Sequence, residues 1–363
     1  MKKKIIFFMP SIEGGGVEKN LVILANFFSK HLNDIKLITF DDFYKKKFNK
    51  KIKFISFKKT PIRISKYIKY FVCLILLIKE IIFSNVIVFS FQANIYSLIL
   101  CKLFGKKIIL RSNSSPAGWT TNKIKNYIYS YFIKKTDKLI VNSHLFQQQM
   151  RNKFNIKSTM IYNPLNLIEI KKKSKKKINK KLIKKDCINI INVGRLTNQK
   201  NQILILKALS IIPKKVKINL VIIGYGSQKN NLNIFIKKNN LSNQVTIIKE
   251  INNPYKYMSK FDLFVLTSEY EGLPNVLLEC LTLKTPIIST NCPTGPYEIL
   301  KDGKFGTLFK KNDYKKLSKL LIKYKKNKSY FLKKAILGYN SLKRFDYNTN
   351  CTKYLNEVKN LDL

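Results

Sequence analysis

Two glutamates spaced eight positions apart, Glu271 and Glu279, flank a short loop that contains Gly and Pro. An N-cap at Asn275, directly after Pro274, is expected to begin a helix there. The backbone N–H groups and the positive dipole end of such a helix favour a bound diphosphate. Glu279, one turn further on, has a carboxylate that can accept hydrogen bonds from two vicinal hydroxyls, as a ribose offers. The stretch therefore predicts a site for a nucleoside diphosphate.

A second group of residues suited to binding anions, Gly194, Arg195 and Lys200, follows a predicted buried strand. Arginine is rare among the 70 basic residues of the chain, occurring only as Arg63, Arg111, Arg151, Arg195 and Arg344. The choice of arginine in this loop is therefore informative. A guanidinium and an ammonium together could neutralise a diphosphate and stabilise the charge that develops on it as it leaves.

The formal net charge of +50 suggests a polyanionic partner, such as nucleic acid or an anionic membrane surface. A nucleic-acid partner is not favoured, because phosphate and base recognition uses the bidentate fork of arginine, which lysine lacks. The abundance of Lys, Ile, Asn, Phe and Tyr is the composition that an AT-rich genome encodes. Diffuse lysine charge is sufficient for attraction to anionic lipids, so a membrane surface stays open as a partner.

Cysteine usage and apolar runs indicate the compartment. The six cysteines form no C-x-x-C pair, which is consistent with a reducing cytoplasm. The N-terminal run Ile5–Met9 is too short for the core of a signal peptide and is expected to be a strand. The longest apolar run, Tyr70–Ile78, is too short to span a bilayer. A buried helix is the favoured interpretation of that run, and a helix lying in the membrane surface is the alternative.

Short apolar runs alternate with helical stretches along the chain, which is typical of doubly wound parallel sheets. With 363 residues and a 45% hydrophobic fraction, two domains with separate cores are expected. The predicted strands are Ile5–Met9, Ile35–Thr39, Lys53–Phe57, Val86–Phe89, Lys107–Leu110, Lys138–Val141, Thr159–Tyr162, Ile188–Val193, Lys217–Ile223, Val245–Ile248, Leu263–Leu266, Pro286–Thr290 and Thr307–Phe309.

Four motifs carry a resemblance to a known family. They are G-G-x-E ending at Glu18, G-R-L-x-x-Q-K from Gly194 to Lys200, Glu271 and Glu279 with seven residues between them, and N-C-P-T-G-P-Y-E-I-L from Asn291. The chain resembles the retaining glycosyltransferases of family four, in particular the subgroup of bacterial cell-envelope polysaccharide synthesis. The resemblance implies an α/β chain with the GT-B fold, in which two Rossmann-like doubly wound domains face each other across a cleft.

The resemblance also implies a domain division. Residues 1–167 would form an N-terminal, acceptor-side domain, and residues 188–340 a C-terminal domain that binds the nucleotide sugar. The lysine-dominated tract at 168–187 is expected to be a solvated linker. Residues 341–363 would form a helix that crosses back to the first domain.

Each motif residue has an implied role. The predicted catalytic residues are Arg195, Lys200 and Glu271. The predicted donor-binding residues are Gly15, Gly16, Gly194, Gly224, Gly226, Gly272, Leu273, Pro274, Asn275 and Glu279. The acceptor-side candidates are Arg111 and Asn113, in a loop where many family members have a histidine. Cys292 is expected to be a small buried residue rather than a catalytic thiol.

The implied reaction needs neither a metal nor a cofactor, and the chain has no D-x-D motif. In the front-face mechanism of the family, a phosphate oxygen of the leaving group accepts the proton of the acceptor. The expected enzyme is a hexosyl- or N-acetylhexosaminyltransferase that takes a nucleotide-sugar donor, with UDP as the expected nucleotide, and a glycan or lipid-linked acceptor. Its expected location is the cytoplasm, with peripheral association at the inner face of the cell membrane. The alternative is a basic protein that binds nucleic acid or membranes and keeps the fold without the chemistry.

Overall fold

Thirteen strands, all paired in parallel, form two sheets in a computed structural model that describes residues 4–60, 64–113, 123–249, 251–292 and 294–361. The chain divides into two units, of which Met1–Pro164 with Tyr347–Leu363 is the first and Leu165–Asp346 the second. Every predicted strand is present close to its expected bounds. The alternation of apolar runs and helical stretches thus predicted the element order correctly.

The first unit is built on a seven-stranded sheet. Its strands are β1 (Lys4–Phe8), β2 (Asp34–Asp41), β3 (Lys53–Lys58), β4 (Val86–Ser90), β5 (Lys107–Arg111), β6 (Lys138–Val141) and β7 (Thr159–Met160). Its helices up to that point are α1 (Gly16–Phe28), α2 (Lys66–Ile81), α3 (Asn94–Leu103), α4 (Lys123–Ile133) and α5 (His144–Phe154). The strand order is β3-β2-β1-β4-β5-β6-β7. Successive residues of β1 are buried on opposite faces of the sheet. One hydrophobic cluster contains Ile5 and Phe7, and another contains Ile6 and Phe8, as a sheet covered on both faces requires.

The second unit is built on a six-stranded sheet. Its strands are β8 (Ile188–Val193), β9 (Ile218–Ile223), β10 (Val245–Ile248), β11 (Leu263–Leu266), β12 (Ile287–Thr290) and β13 (Thr307–Phe309). Its helices are α6 (Leu167–Ser174), α7 (Ile203–Ser210), α8 (Lys229–Lys238), α9 (Tyr255–Met258), α10 (Asn275–Thr282), α11 (Gly295–Ile299), α12 (Tyr314–Lys326) and α13 (Lys328–Asn340). The strand order is β10-β9-β8-β11-β12-β13.

The segment expected to be a solvated linker, 168–187, is partly helical, so that prediction is wrong over α6. The Asn166 side chain caps this helix by accepting a hydrogen bond of 3.0 Å from the backbone N–H of Glu169. Ile170 is buried, and α6 packs against α9 and α10. One buried isoleucine and a good cap are therefore sufficient to order a tract whose composition is mostly lysine.

The last helix, α14 (Tyr347–Lys359), belongs to the first unit, where it packs against α1. The rings of Tyr347 and Phe27 meet edge to face with their centroids 5.9 Å apart. Tyr354 is completely buried within the same unit. The first core is therefore closed by residues from the far end of the chain.

Helix α2 differs from the buried helix that its apolar run favoured. Cys73, Leu77 and Ile81 are buried on one face, as expected. On the opposite face, Phe71 and Ile75 are 65% and 41% exposed. Among the helices of the described ranges, none combines the length and the apolar content that crossing a bilayer requires. The expectation of a buried helix is therefore correct for one face of α2 only.

Candidate active site

The predicted site residues of the second unit come together where its sheet changes direction. Strands β8 and β11 are neighbours, and the connections that follow them lead to opposite edges of the sheet. In doubly wound folds, ligands bind outside the carboxyl ends of the strands at this switch point. The two loops that leave these strands are bonded together: Thr267 Oγ1 donates to the carbonyl of Lys200 at 3.0 Å, and the N–H of Glu269 donates to the carbonyl of Gln199 at 2.8 Å.

Lys200 and Glu271 form an ion pair at this switch point, although they were predicted separately. Lys200 Nζ contacts Glu271 Oε1, and the two side chains are only 18% and 8% exposed. Ser268 Oγ donates to the same carboxylate oxygen at 2.6 Å. A charge-assisted pair with so little solvent around it is fixed in position before any ligand arrives. The ammonium group therefore lies ready beside the loop that leads into α10.

Three hydroxyl groups to which the sequence interpretation gave no role, those of Ser268, Thr290 and Thr294, hold this carboxylate loop. Thr290 Oγ1 donates to the carbonyl of Ser268 at 2.8 Å. Thr294 Oγ1 donates to the carbonyls of Glu271 and Gly272, at 2.6 and 3.0 Å. The available signal was a Ser or Thr at or just beyond the carboxyl end of two adjacent strands, β11 and β12, where parallel strands bring their loops together. These residues position the predicted catalytic Glu271.

Helix α10 begins one residue earlier than predicted. Asn275 is its first helical residue, and Pro274 occupies the N-cap position with no side-chain hydrogen bond to the helix end. The expected Asn275 N-cap is therefore wrong. Proline fits the cap position because its ring fixes φ, here −70°, and it brings no N–H of its own. The cap residue thus leaves the backbone N–H groups of the first turn to other acceptors, which retains the predicted anion-binding character of this end.

Glu279 is buried within α10, only 3% exposed. Tyr255, the first residue of α9, donates its hydroxyl to Glu279 Oε1 at 3.3 Å. A buried carboxylate needs such partners, because burial without hydrogen bonds is costly. Tyr255 was not among the predicted site residues, and its position at the start of a four-residue helix carries no recognisable motif. The ribose-binding role of Glu279 stays a prediction.

The glycines after β8 and β9 allow two loop backbones to touch. A Cβ on Gly224 would lie 1.9 Å from the carbonyl oxygen of Gly194, and one on Gly226 would lie 2.2 Å from that of Leu196. The N–H of Leu196 donates to the carbonyl of Tyr225 at 2.8 Å, which joins the two loops directly. Close packing of protein backbone is thus one reason for glycine at both positions. This packing does not test the predicted contact of Gly224 and Gly226 with the donor, which stays a prediction.

Arg195 lies exposed at the tip of the loop after β8. Its carbonyl accepts a hydrogen bond of 3.0 Å from Gln202 Nε2, which fixes the backbone while the guanidinium extends into solvent. Lys200 is therefore the nearly buried, ion-paired cation of this loop and Arg195 the exposed one. An exposed guanidinium offers several N–H donors to an anionic ligand.

The glycine loop of the first unit occupies the equivalent switch point, between β1 and β4. Gly15 is the N-cap residue of α1 and Gly16 is its first helical residue. The Glu18 side chain folds back over this loop, so a Cβ on Gly15 would lie 2.7 Å from Glu18 Oε2. The N–H of Ser11 donates to Gln92 Oε1 at 2.8 Å and ties the loop to the chain after β4. The predicted donor contacts of Gly15 and Gly16 stay predictions.

Arg111, predicted to face an acceptor, is a completely buried residue of the first core, so that prediction is wrong. Its Nε donates to the hydroxyl of Tyr354 at 3.1 Å, and its Nη2 donates to Asn163 Oδ1 at 2.6 Å. Its guanidinium carbon lies 5.3 Å from the centre of the Phe91 ring. Asn113 accepts from Arg111 Nη1 and, being half-buried, stays an acceptor-side candidate. Residues 114–116 of that loop lie outside the described residues.

Cys292 is buried beside the site, and burial together with the nearby Glu271 carboxylate raises the pKa of its thiol to about 12. At about pH 8 the thiolate fraction is then roughly 10⁻⁴. We expect iodoacetamide to modify half-buried Cys187 well before Cys292 in the folded protein. Mass spectrometry of timed digests measures the order of labelling. Rapid modification of Cys292 would contradict its assignment as an unreactive core residue.

Comparisons with known proteins agree with this geometry. The family model described as glycosyl transferases group 1 matches residues 173–345, which is nearly the whole second unit. A glycosyltransferase of Methanocaldococcus jannaschii, itself described as uncharacterized, is 33% identical over 228 residues, 58% of this chain and 56% of its own length. The N-acetylgalactosamine-N,N'-diacetylbacillosaminyl-diphospho-undecaprenol 4-alpha-N-acetylgalactosaminyltransferase of Campylobacter jejuni is 30% identical over 223 residues, 59% of each chain. The chain thus spans less than two thirds of the length of these two relatives.

A solved structure extends the likeness to both units. The crystal structure of HepE from Anabaena in complex with UDP-glucose matches with a TM-score of 0.81 over 99% of this chain and 100% of that chain, at 16% identity. At this identity the match establishes the fold. The predicted GT-B fold is therefore confirmed, and residues 173–345, just under half of the chain, are similar to the group 1 glycosyltransferases.

Proposed function

We propose that this protein transfers a sugar, with retention of configuration, from a nucleotide-sugar donor to a glycan or lipid-linked acceptor of the cell envelope. UDP is the proposed nucleotide. The observation that carries the proposal is the nearly buried ion pair of Lys200 and Glu271 at the switch point of the second sheet. It joins the motif predicted to bind the diphosphate of the donor to the motif predicted to bind its sugar.

The ion pair suits a leaving group whose negative charge increases during the reaction. A diphosphate between the start of α10 and Lys200 would meet backbone N–H groups on one side and an ammonium on the other. Because these groups are positioned in advance, little reorganisation is needed when the charge develops. Arg195, which is exposed, would add a second cation on that diphosphate.

Glu271 has two functions in this proposal. Its carboxylate holds the Lys200 ammonium, and the resemblance implies that it also accepts hydrogen bonds from the donor sugar. Glu279, further into α10, would hold the ribose. The carboxylates are therefore assigned to binding, and the acceptor's proton passes to a phosphate oxygen of the leaving group, as the resemblance implies.

The donor and acceptor classes receive support from the similar proteins. The Anabaena structure contains UDP-glucose, which favours a UDP-linked sugar. The Campylobacter relative acts on a diphospho-undecaprenol substrate, which favours a lipid-linked acceptor. A lipid-linked acceptor places the proposed reaction at the cytoplasmic face of the cell membrane. The alternative of a nucleic-acid-binding protein without transferase chemistry is not favoured, because the matching proteins are glycosyltransferases and the Lys200–Glu271 pair is intact.

UDP binding tests the donor site directly. UDP at about one hundred times its dissociation constant is expected to stabilise the wild type by about 2.7 kcal/mol, seen as a raised melting temperature. The Arg195→Ala variant should lose most of this stabilisation, because one of the two proposed cations on the diphosphate is missing. Thermal unfolding with increasing UDP measures both effects.

Arg151→Ala is the matched control, since Arg151 is also an exposed arginine but lies on α5 of the first unit. We expect it to respond to UDP as the wild type does. A wild type that UDP does not stabilise, or equal stabilisation of the Arg195→Ala variant, would overturn the proposed donor site.

A further inference from the structure

Helix α2 has two apolar faces, and only one of them is used by the core. Cys73 and Leu77 are completely buried. Phe71 and Ile75, each two residues from a buried neighbour and so on the opposite side of the helix, are exposed. A surface helix of a globular protein ordinarily has polar residues on its outer face. An apolar outer face therefore indicates a second contact.

The exposed apolar surface continues across the two neighbouring helices. Helix α2 packs against α3, and α3 packs against α4. Tyr70 connects them, since its ring lies 6.4 Å from the rings of both Tyr67 on α2 and Tyr96 on α3. We define the α2–α4 face by its exposed apolar side chains, which are Tyr67, Ile68, Phe71, Ile75, Tyr96, Leu103, Tyr127, Ile128, Tyr129 and Tyr131. Exposed apolar side chains clustered on three neighbouring helices are typical of an interaction site.

The charges that border the α2–α4 face are almost all positive. Exposed lysines flank it on all three elements: Lys66 and Lys79 on α2, Lys102 on α3, and Lys134 and Lys135 just after α4. Among the described residues 64–113 and 126–138, the acidic side chains are Glu80 and Asp137. Both are paired with lysines, Glu80 with Lys36 at 2.6 Å and Asp137 with Lys102 at 2.7 Å. The border is therefore strongly positive.

We propose that the α2–α4 face docks on an anionic lipid bilayer. Tyrosine and phenylalanine rings surrounded by lysines suit the boundary between headgroups and acyl chains, where apolar side chains enter and ammonium groups meet lipid phosphates. A second copy of the chain is the less suitable occupant. A symmetric contact would bring the same lysines together on two molecules that each carry a formal charge of +50.

The docking proposal deepens the proposed function and rests on it for its purpose, because a lipid-linked acceptor is located in such a bilayer. The docking itself requires no donor. Charge attraction alone would place any part of this lysine-rich chain near an anionic surface. The specific claim is that the apolar residues of the α2–α4 face enter the bilayer.

Co-sedimentation with lipid vesicles tests the claim. The full chain is expected to bind vesicles of phosphatidylcholine mixed with phosphatidylglycerol, and to bind pure phosphatidylcholine vesicles much more weakly. The double variant Phe71→Ser/Ile75→Ser should bind the mixed vesicles at least about tenfold more weakly, because two apolar side chains no longer insert. Both residues are exposed, so the melting temperature should change little.

The matched control is Ile211→Ser/Ile234→Ser, which removes two exposed isoleucines from the second unit without changing any charge. We expect it to bind vesicles as the wild type does. Equal weakening by the two double variants, or no weakening by Phe71→Ser/Ile75→Ser, would overturn the docking face. A dimer in sedimentation velocity that Phe71→Ser/Ile75→Ser dissociates would assign the face to a second copy instead. Vesicle binding by a chain that UDP does not stabilise would leave the docking face standing and overturn only the proposed donor site.

Discussion

The Lys200→Ala variant is expected to lower the turnover number of sugar transfer by about 10²–10³-fold, the usual cost of removing one preorganised charge-stabilising group. Lys200 is held against Glu271 with little solvent around either side chain. Its loss removes the fixed cation beside the proposed diphosphate and leaves the Glu271 carboxylate without its partner. Both consequences act on the leaving group and the donor sugar together, so we expect the largest catalytic effect at this residue.

The measurement is release of UDP from a screen of UDP-linked hexoses and N-acetylhexosamines, continued with the best donor. Lys311→Ala is the matched control: Lys311 pairs with Glu269 in the same loop region, but at 3.8 Å and with 40% of its side chain exposed. Such a pair contributes little, so turnover should remain within about twofold of the wild type. A folded Lys200→Ala protein with turnover equal to that of Lys311→Ala would contradict the assigned role of Lys200.

The sequence was sufficient to predict the strands because most of them are short runs dominated by apolar residues. Residues 86–89 and 263–266 show this directly, since strands covered on both faces leave little room for polar residues. The ion pair itself needed the structure. Lys200 and Glu271 are distant in the chain, and their contact depends on β8 lying beside β11, which a strand list does not specify. Lys200 and Glu271 were each identified from the residue type and the local motif. That they form an ion pair became visible only in the arrangement of the sheet.

Arg111 shows how the same logic fails. A rare arginine at the end of a strand is a reasonable candidate for ligand binding in both units. At Arg195 the guanidinium is exposed, whereas at Arg111 it is closed in by Tyr354, which comes from α14 at the other end of the chain. The residues next to Arg111 in the sequence give no indication that the distant Tyr354 packs against it. The difference between an exposed arginine and a core arginine was therefore a tertiary property.

Helix α2 shows a second limit of prediction from sequence: side chains expected to be buried are exposed. A nearly continuous apolar run has no polar face, so its periodicity cannot distinguish a helix buried all round from one whose outer face is exposed. The packing of the fold decides this: the core of the first unit covers Cys73, Leu77 and Ile81 on one face of the helix. Phe71 and Ile75 on the opposite face stay exposed. The apolar run was visible in the sequence, but which face of the helix remained uncovered could only be seen in the fold.

Two glycines of the candidate site, Gly224 and Gly194, are expected to differ strongly in their tolerance of an added methyl group. The Gly224→Ala variant is expected to lower the free energy of unfolding by about 3 kcal/mol, the upper part of the usual cost of overpacking. The new methyl carbon would lie 1.9 Å from the carbonyl oxygen of Gly194. Neither backbone can move easily, because the N–H of Gly194 donates to Ile223 and the N–H of Gly224 donates to Ile248, each at 3.0 Å. The loop that carries Arg195 and Lys200 would be displaced, so UDP binding should be lost as well.

Gly194→Ala is the decisive partner of this experiment, since it adds a methyl group on the other side of the same contact. A Cβ on Gly194 would meet only the Lys200 side chain, with its nearest carbon at 3.8 Å, an ordinary van der Waals distance. We expect its stability to remain within about 1 kcal/mol of the wild type. Denaturant unfolding of both variants, with and without UDP, measures the asymmetry. Equal losses would contradict backbone crowding at Gly224, because a general need for glycine in the loops would affect both positions alike.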